Sequence, residues 1–201
     1  MGPTVPGMSD QTPWEPPLAG TDETALLGAV DRMRWTFRYK IDGLDHAGLN
    51  STVGASDLTL AGLTKHLAAQ EEYMSTVKML GGELGQPWTD WGWDGSNDWE
   101  FTSAGEDSPE QLYELYDEPV ARSRARTEAF VAAGGLDQPV AVGQGRVNLR
   151  RLVVDQIEEY ARHVGHADLL REAVDGRAGE DPPDGWRPAG WGDEGWGRHD
   201  G

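Results

Sequence analysis

Glu159, His163 and His166 follow one another at steps of four and three inside LRRLVVDQIEEYARHVGHADLLREAVD, residues 149–175. Residues so spaced project from one face of a helix. A carboxylate and two imidazoles on one face are what a divalent metal needs from a helix. A zinc-like ion that is to do chemistry takes three protein ligands and keeps a fourth position open. Glu159 and His163 supply two. The third must come from elsewhere in the chain, and His66 is the best remaining histidine. His46 lies in a connection and is the weaker choice, while His166 competes from the same helix. The spacing itself is unspecific, because E-x-x-x-H is far commoner than H-E-x-x-H. On spacing alone the stronger reading is a solvated charged face, with Glu158–Arg162 and Glu159–His163 as simple helix pairs.

The elements that must position these side chains are helices. Residues 149–175 read as one long helix, capped by Asn148, and the composition changes after Gly176. A first helix starts at Thr21, with Asp22 and Glu23 in its first turn. Leu26, Val30, Met33, Phe37, Ile41 and Leu44 make its core stripe, and Arg32, Arg34 and Arg38 are expected on its solvated side. A polar connection, 45–58, leads to a second helix from Thr59 to Leu80, ended by Gly81-Gly82. His66 sits there beside the face of Leu60, Leu63, Leu67, Met74 and Val77. The stretch 83–107 is long for a connection. It interleaves Trp88, Trp91, Trp93, Trp99 and Phe101 with acids, so it is either a loop packed over a helix end or the wall of a pocket. A third helix opens on the capping box Ser108-Pro109-Glu110-Gln111 and stops at Gly134-Gly135. Pro119 is expected to kink or break it. Residues 136–147 read as a linker with a short extended piece at 140–142.

The ends differ from this body. Residues 1–20 are proline-rich and read as an irregular arm that Trp14 could pin to the body, and Met8 reads as a plausible true start. Residues 177–201 are a low-complexity tail in which Gly-Trp recurs at 185, 190 and 195. Its composition predicts disorder, with docking of the tryptophans as the alternative. The expected organisation is thus an arm (1–20), one helical domain (21–176) and a tail (177–201).

The formal net charge of −18 argues against nucleic acid or an anionic membrane as partner. There is no cysteine, hence no thiolate ligand and no cysteine nucleophile in the chain. No apolar run is long enough to span a bilayer and no signal-peptide pattern opens the sequence, so a cytoplasmic location is expected. Arginine outnumbers lysine, 14 to 3, a weak coding hint of a GC-rich bacterial genome.

LTLAGLTKHLAAQEEY around His66 and EEYARHVGHADLLREAVDG closely resemble the DinB superfamily, in its actinobacterial branch related to mycothiol S-transferases and mycothiol-dependent maleylpyruvate isomerase. The resemblance runs from about Trp14 to Gly179 and takes in WEPPLAG, DWEF at 98–101 and SPEQL at 108–112. It implies an all-α four-helix bundle with long crossover connections. It also implies a divalent metal, Zn or Ni, held by His66, Glu159 and His163. Many members carry His-x-x-x-His where this chain has Glu159, an exchange shared with the isomerase group. Glu in place of His lowers the charge of the site by one. His166, Arg162, Trp91 and Trp93 are then outer-sphere or substrate contacts, with Arg150 and Arg151 as further candidate anchors for acidic groups. The implied activity is transfer of a low-molecular-weight thiol, mycothiol, to a small electrophile, with the metal-bound thiolate as nucleophile. A free thiol with a pKa near 8.5 is mostly protonated at neutral pH, and coordination removes that proton. A non-catalytic metal- or ligand-binding bundle is the alternative, and a homodimer with a stabilising metal is a third reading.

Overall fold

The computed structural model describes residues 14–94, 97–141, 147–179 and 181–189. Its helices are α1 (Asp22–Ile41), the short α2 (His46–Leu49), α3 (Leu60–Glu72), the short α4 (Trp99–Thr102), α5 (Pro109–Gly134) and α6 (Leu149–Asp175). The predicted caps are in place. Thr21, Thr59 and Asn148 each accept a backbone N–H of their own first turn, and Ser108 and Gln111 form the reciprocal box. Past Glu72, α3 winds on as a π-helix, Tyr73–Met79. Among the described residues the linker after α5 holds one isolated antiparallel bridge, Pro139 to Asn148, and residue 142, the last of the expected extended piece, lies outside them, as do 143–146.

Side-chain pairs fix the direction of each helix. Near its start α6 pairs Arg150 with Asp22. Near its end Arg171 donates to the carbonyls of Lys40 and Asp42, so α1 and α6 run parallel. Arg122 and Arg126 reach Glu72, while Lys65 reaches Asp107 just before α5, so α3 and α5 also run parallel. His66 meets Glu159 and Glu71 meets Gln156, which makes α3 antiparallel to α6. The α3–π unit of 13 and 7 residues rises about 30 Å. The chain must return over that whole length before α5 can start in the same direction. This is the physical reason for the long, tryptophan-rich segment.

Two apolar clusters fill the bundle. One is built around Phe37, Ile41, Leu63, Leu67, Tyr116 and Val164, the other around Val30, Met74, Val131, Leu149 and Val153. Between them lies a polar layer to which all four long helices contribute. Arg34 of α1 donates twice to Glu71 of α3, at 2.7 and 2.8 Å, and also reaches Ser123 of α5. Gln156 and the Tyr160 hydroxyl of α6 donate to the same carboxylate, both at 2.7 Å. Arg34 and Arg38 are therefore buried, not solvated as the local pattern suggested, and Arg38 pairs with Asp117 and Asp42. Their partners sit mainly on other helices, out of reach of a periodicity argument. Nor does α5 break at Pro119. The ring is buried and α5 continues, because a proline forfeits one hydrogen bond while the neighbouring Tyr116 and Val120 keep their packing.

Both ends are tied down where they are described. Trp14 is buried, with Arg32 over its ring. The tail takes the docking alternative at its first Gly-Trp step. Trp186 packs edge-on against Trp35 and Tyr39 of α1, and Asp181 accepts from Arg32. Trp191 and Trp196 lie outside the described residues. Among those described, no helix is long and apolar enough to cross a membrane.

Candidate metal centre

His66, Glu159 and His163 each stand one position before a buried side chain, namely Leu67, Tyr160 and Val164. That register puts all three on the border of the α3–α6 contact, half inside and half toward solvent. The antiparallel crossing then brings them together. His66 Nε2 lies 2.8 Å and His163 Nε2 3.2 Å from the same oxygen, Glu159 Oε1. One donor atom from each residue falls within 4.8 Å of the other two, and no other such cluster of three is found among the described residues. The imidazoles are 14 % and 12 % exposed and the carboxylate 32 %, so the cluster can be reached from one side.

Without an ion, the electrostatics are those of a carboxylate paired with imidazoles. Hydrogen bonds from His163 and His66 hold the Glu159 carboxyl well below the usual carboxylate range, against the effect of burial. Burial opposes a charge on His66, but hydrogen bonds to Glu100 and Glu159 override it and push its pKa up to about 9. Two nitrogen donors and one anionic oxygen, converging and partly open, fit a divalent ion of the zinc type.

Sequence reasoning missed one residue here. Glu100 of α4 is 5 % exposed and accepts from His66 Nδ1 at 3.1 Å. In sequence it is one acid among several in the tryptophan-rich segment. Only the return path of that segment over α3 distinguishes it.

The remaining candidates have other surroundings. His166 Nδ1 lies 3.4 Å from His163 Nδ1, on the side away from Glu159, and burial followed by the charges of His163 and Arg162 lowers its pKa. Arg162 is exposed and pairs with Glu158. Arg150 pairs with Asp22 and Asp137, and Arg151 with Asp155. His46 contacts the Gly105 carbonyl in the α2 region. Trp93 is buried against Tyr73 and Trp88, whereas Trp91 is partly exposed and stacks on Trp99 at 4.8 Å. A groove lined in part by Glu159, but by neither His66 nor His163, is walled instead by α3, the π-helix and α6. It measures about 210 Å³ and is lined by Gln70, Met74, Lys78, Asp155 and Glu158 among others.

The all-helical bundle is a DinB-like fold. The family model described as mycothiol-S-transferase matches residues 25–176, which is more than half of the chain. The chain therefore belongs to the mycothiol-S-transferase family. A solved structure, the conserved protein of locus from Enterococcus faecalis, is similar with a TM-score of 0.56 at 17% identity. The match covers 79% of this chain and 100% of that one, and at this identity it shows the fold alone. Among curated proteins nothing matches.

Proposed function

We propose that this protein is a metal-dependent S-transferase that joins a low-molecular-weight thiol, mycothiol, to a small electrophile. The observation that carries the reading is the convergence of His66, Glu159 and His163 on one point beside an open groove. Those three residues would hold the ion, Zn²⁺ first and Ni²⁺ second. The ion's contribution is to lower the pKa of a thiol at its open position, so that a thiolate is available at neutral pH. The chain has no cysteine of its own, in keeping with a diffusible thiol.

The protein's own groups do the rest. Glu159 carries the charge that draws a cation to the cluster and keeps both imidazole Nε2 atoms directed at one point. The polar groove at Glu159 offers the Gln70 amide, the Lys78 ammonium and the Asp155 and Glu158 carboxylates to the body of a bound ligand. In the transfer a sulfur–carbon bond forms, the bond to the leaving group breaks, and the thiol proton passes to solvent.

The test is turnover. Zinc-loaded protein is mixed with mycothiol and chlorodinitrobenzene, and the thioether is measured by mass spectrometry. The proposal expects product that depends on the metal and falls to the uncatalysed level in His163→Ala. Metal binding without any product above that level, across a panel of aryl and alkyl halides, would favour a non-catalytic binding bundle.

A further inference from the structure

An imidazole can bind a metal through one nitrogen only if its proton resides on the other. What holds that proton decides which nitrogen faces the ion and how rigidly. Among the described residues His163 has another imidazole near its Nδ1, at 3.4 Å. His66 has a carboxylate at 3.1 Å, brought from a different element.

The route by which this carboxylate arrives is built into the fold. α4 is only four residues long, yet it is clamped on α3 at adjacent points. Phe101 stacks on the His66 ring, 5.5 Å between centroids at 27°. Phe101 also lies so close to Gly62 that a Cβ there would stand 2.8 Å from its ring. Gly62 is one turn before His66 on the same face of α3, so the missing side chain lets α4 approach at the level of the imidazole. One position before His66 on α3, Lys65 lies over the Trp99 ring at 4.3 Å. Glu100 lies in sequence between these two aromatic anchors, and its carboxylate reaches His66.

Its environment supports a dedicated role. Glu100 Oε2 is buried with no hydrogen-bond partner among the described residues, so His66 is the group that compensates its burial. A buried carboxylate with one partner is a costly structural element and a good acceptor for an imidazole N–H.

We propose that Glu100 is the positioning residue of the metal centre: it accepts the hydrogen bond of His66 Nδ1–H, fixes the ring and leaves the Nε2 lone pair directed at the ion. Gly62 and Phe101 serve it by setting the depth of α4. The inference rests on the metal-site reading above and deepens it.

The test measures Co²⁺ affinity by competition with a chromogenic chelator, together with the visible spectrum of the Co²⁺-loaded protein and helicity by circular dichroism. Glu100→Ala should weaken Co²⁺ binding by about 10- to 100-fold and alter the spectrum, the usual size of such an outer-sphere loss. Glu100→Gln keeps an acceptor oxygen in the same place and should recover most of the affinity. Gly62→Ala pushes α4 away without touching the carboxylate, and should weaken Co²⁺ binding in the same direction. A folded Glu100→Ala protein with wild-type affinity overturns the proposal, as does a Glu100→Gln protein no better than Glu100→Ala. If Glu100→Ala loses its helical signal, Gly62→Ala decides, and unchanged affinity there is equally fatal. Wild-type protein that takes up no Co²⁺ would sink the metal-site reading itself. Wild-type protein that binds Co²⁺ but transfers no thiol would sink only the transferase reading and leave Glu100 in its role.

Discussion

Two polar clusters lie within about two turns of each other along α3 and α6, the first joined also by α1 and α5, and they behave as opposites. Around Glu71, Arg34, Gln156 and Tyr160 supply four hydrogen bonds to a carboxylate that is fully buried, and a second hydroxyl, from Tyr116, backs that of Tyr160. Around Glu159, two imidazoles share one carboxylate oxygen and remain open to solvent on one side. The first cluster is complete without help from outside. The second gathers more donor capacity than its own members use. Neighbouring residues, Glu159 and Tyr160, thus take part in opposite arrangements, and the register of the α3–α6 crossing decides which. A satisfied network in the core fixes how the helices align, while the solvent-reachable cluster at their edge is where the proposed ion would sit.

The comparison is broken most forcefully at Glu71. Glu71→Ala removes the buried carboxylate that accepts four hydrogen bonds and leaves the buried Arg34 with only Asp31 and Ser123 among the described residues, and should cost about 3 kcal/mol of stability in denaturant unfolding. A loss under about 1 kcal/mol would mean the layer is not the closed network described, since surface pairs are worth no more than that. Next comes pH. The His66 pKa is raised to about 9 from an ordinary 6.5, so the metal-free protein gains stability from this group. That gain is complete below pH 6.5 and is lost as pH rises through about 9. The expected size is roughly 1–3 kcal/mol, and it should vanish in His66→Ala, where unfolding at pH 7 and pH 10 should differ less than in the wild type.

Metal sharpens the contrast from the other side. Zn²⁺ at about a hundred times its dissociation constant should stabilise the wild type by about 2.7 kcal/mol. The same addition should leave His163→Ala unmoved. Tyr160→Phe should show the smallest effect, about 1 kcal/mol, from loss of one hydrogen bond to Glu71. Its response to Zn²⁺ should equal that of the wild type. A Tyr160→Phe protein that had lost its zinc response would show the two clusters to be one.

What was legible in the sequence was local or periodic. Thr21, Ser108 and Asn148 announce their helices because a cap acts within one turn, and the stripe from Leu26 to Ile41 announces a buried face. The donors Glu159 and His163 were visible as a pair for the same reason. His66 could be attached to them by elimination and by family resemblance, but its distance to them is set by the α3–α6 crossing. Arg34 and Arg38 were misplaced because a charged residue in a helix pattern gives no sign of a partner on another helix. Glu100 stayed hidden because its meaning depends on Gly62, thirty-eight positions earlier, letting α4 come close. The docking of Trp186 was legible only as an option, since composition reports what a segment lacks and not what surface awaits it.

The most direct test of the central claim is the metal content of the protein after exposure to Zn²⁺ and removal of excess ion, measured by elemental analysis for the wild type and for His163→Ala. The account predicts one tightly held Zn²⁺ per wild-type chain and essentially none in the variant. A wild-type protein that retains no metal, or a variant that retains as much as the wild type, would contradict it.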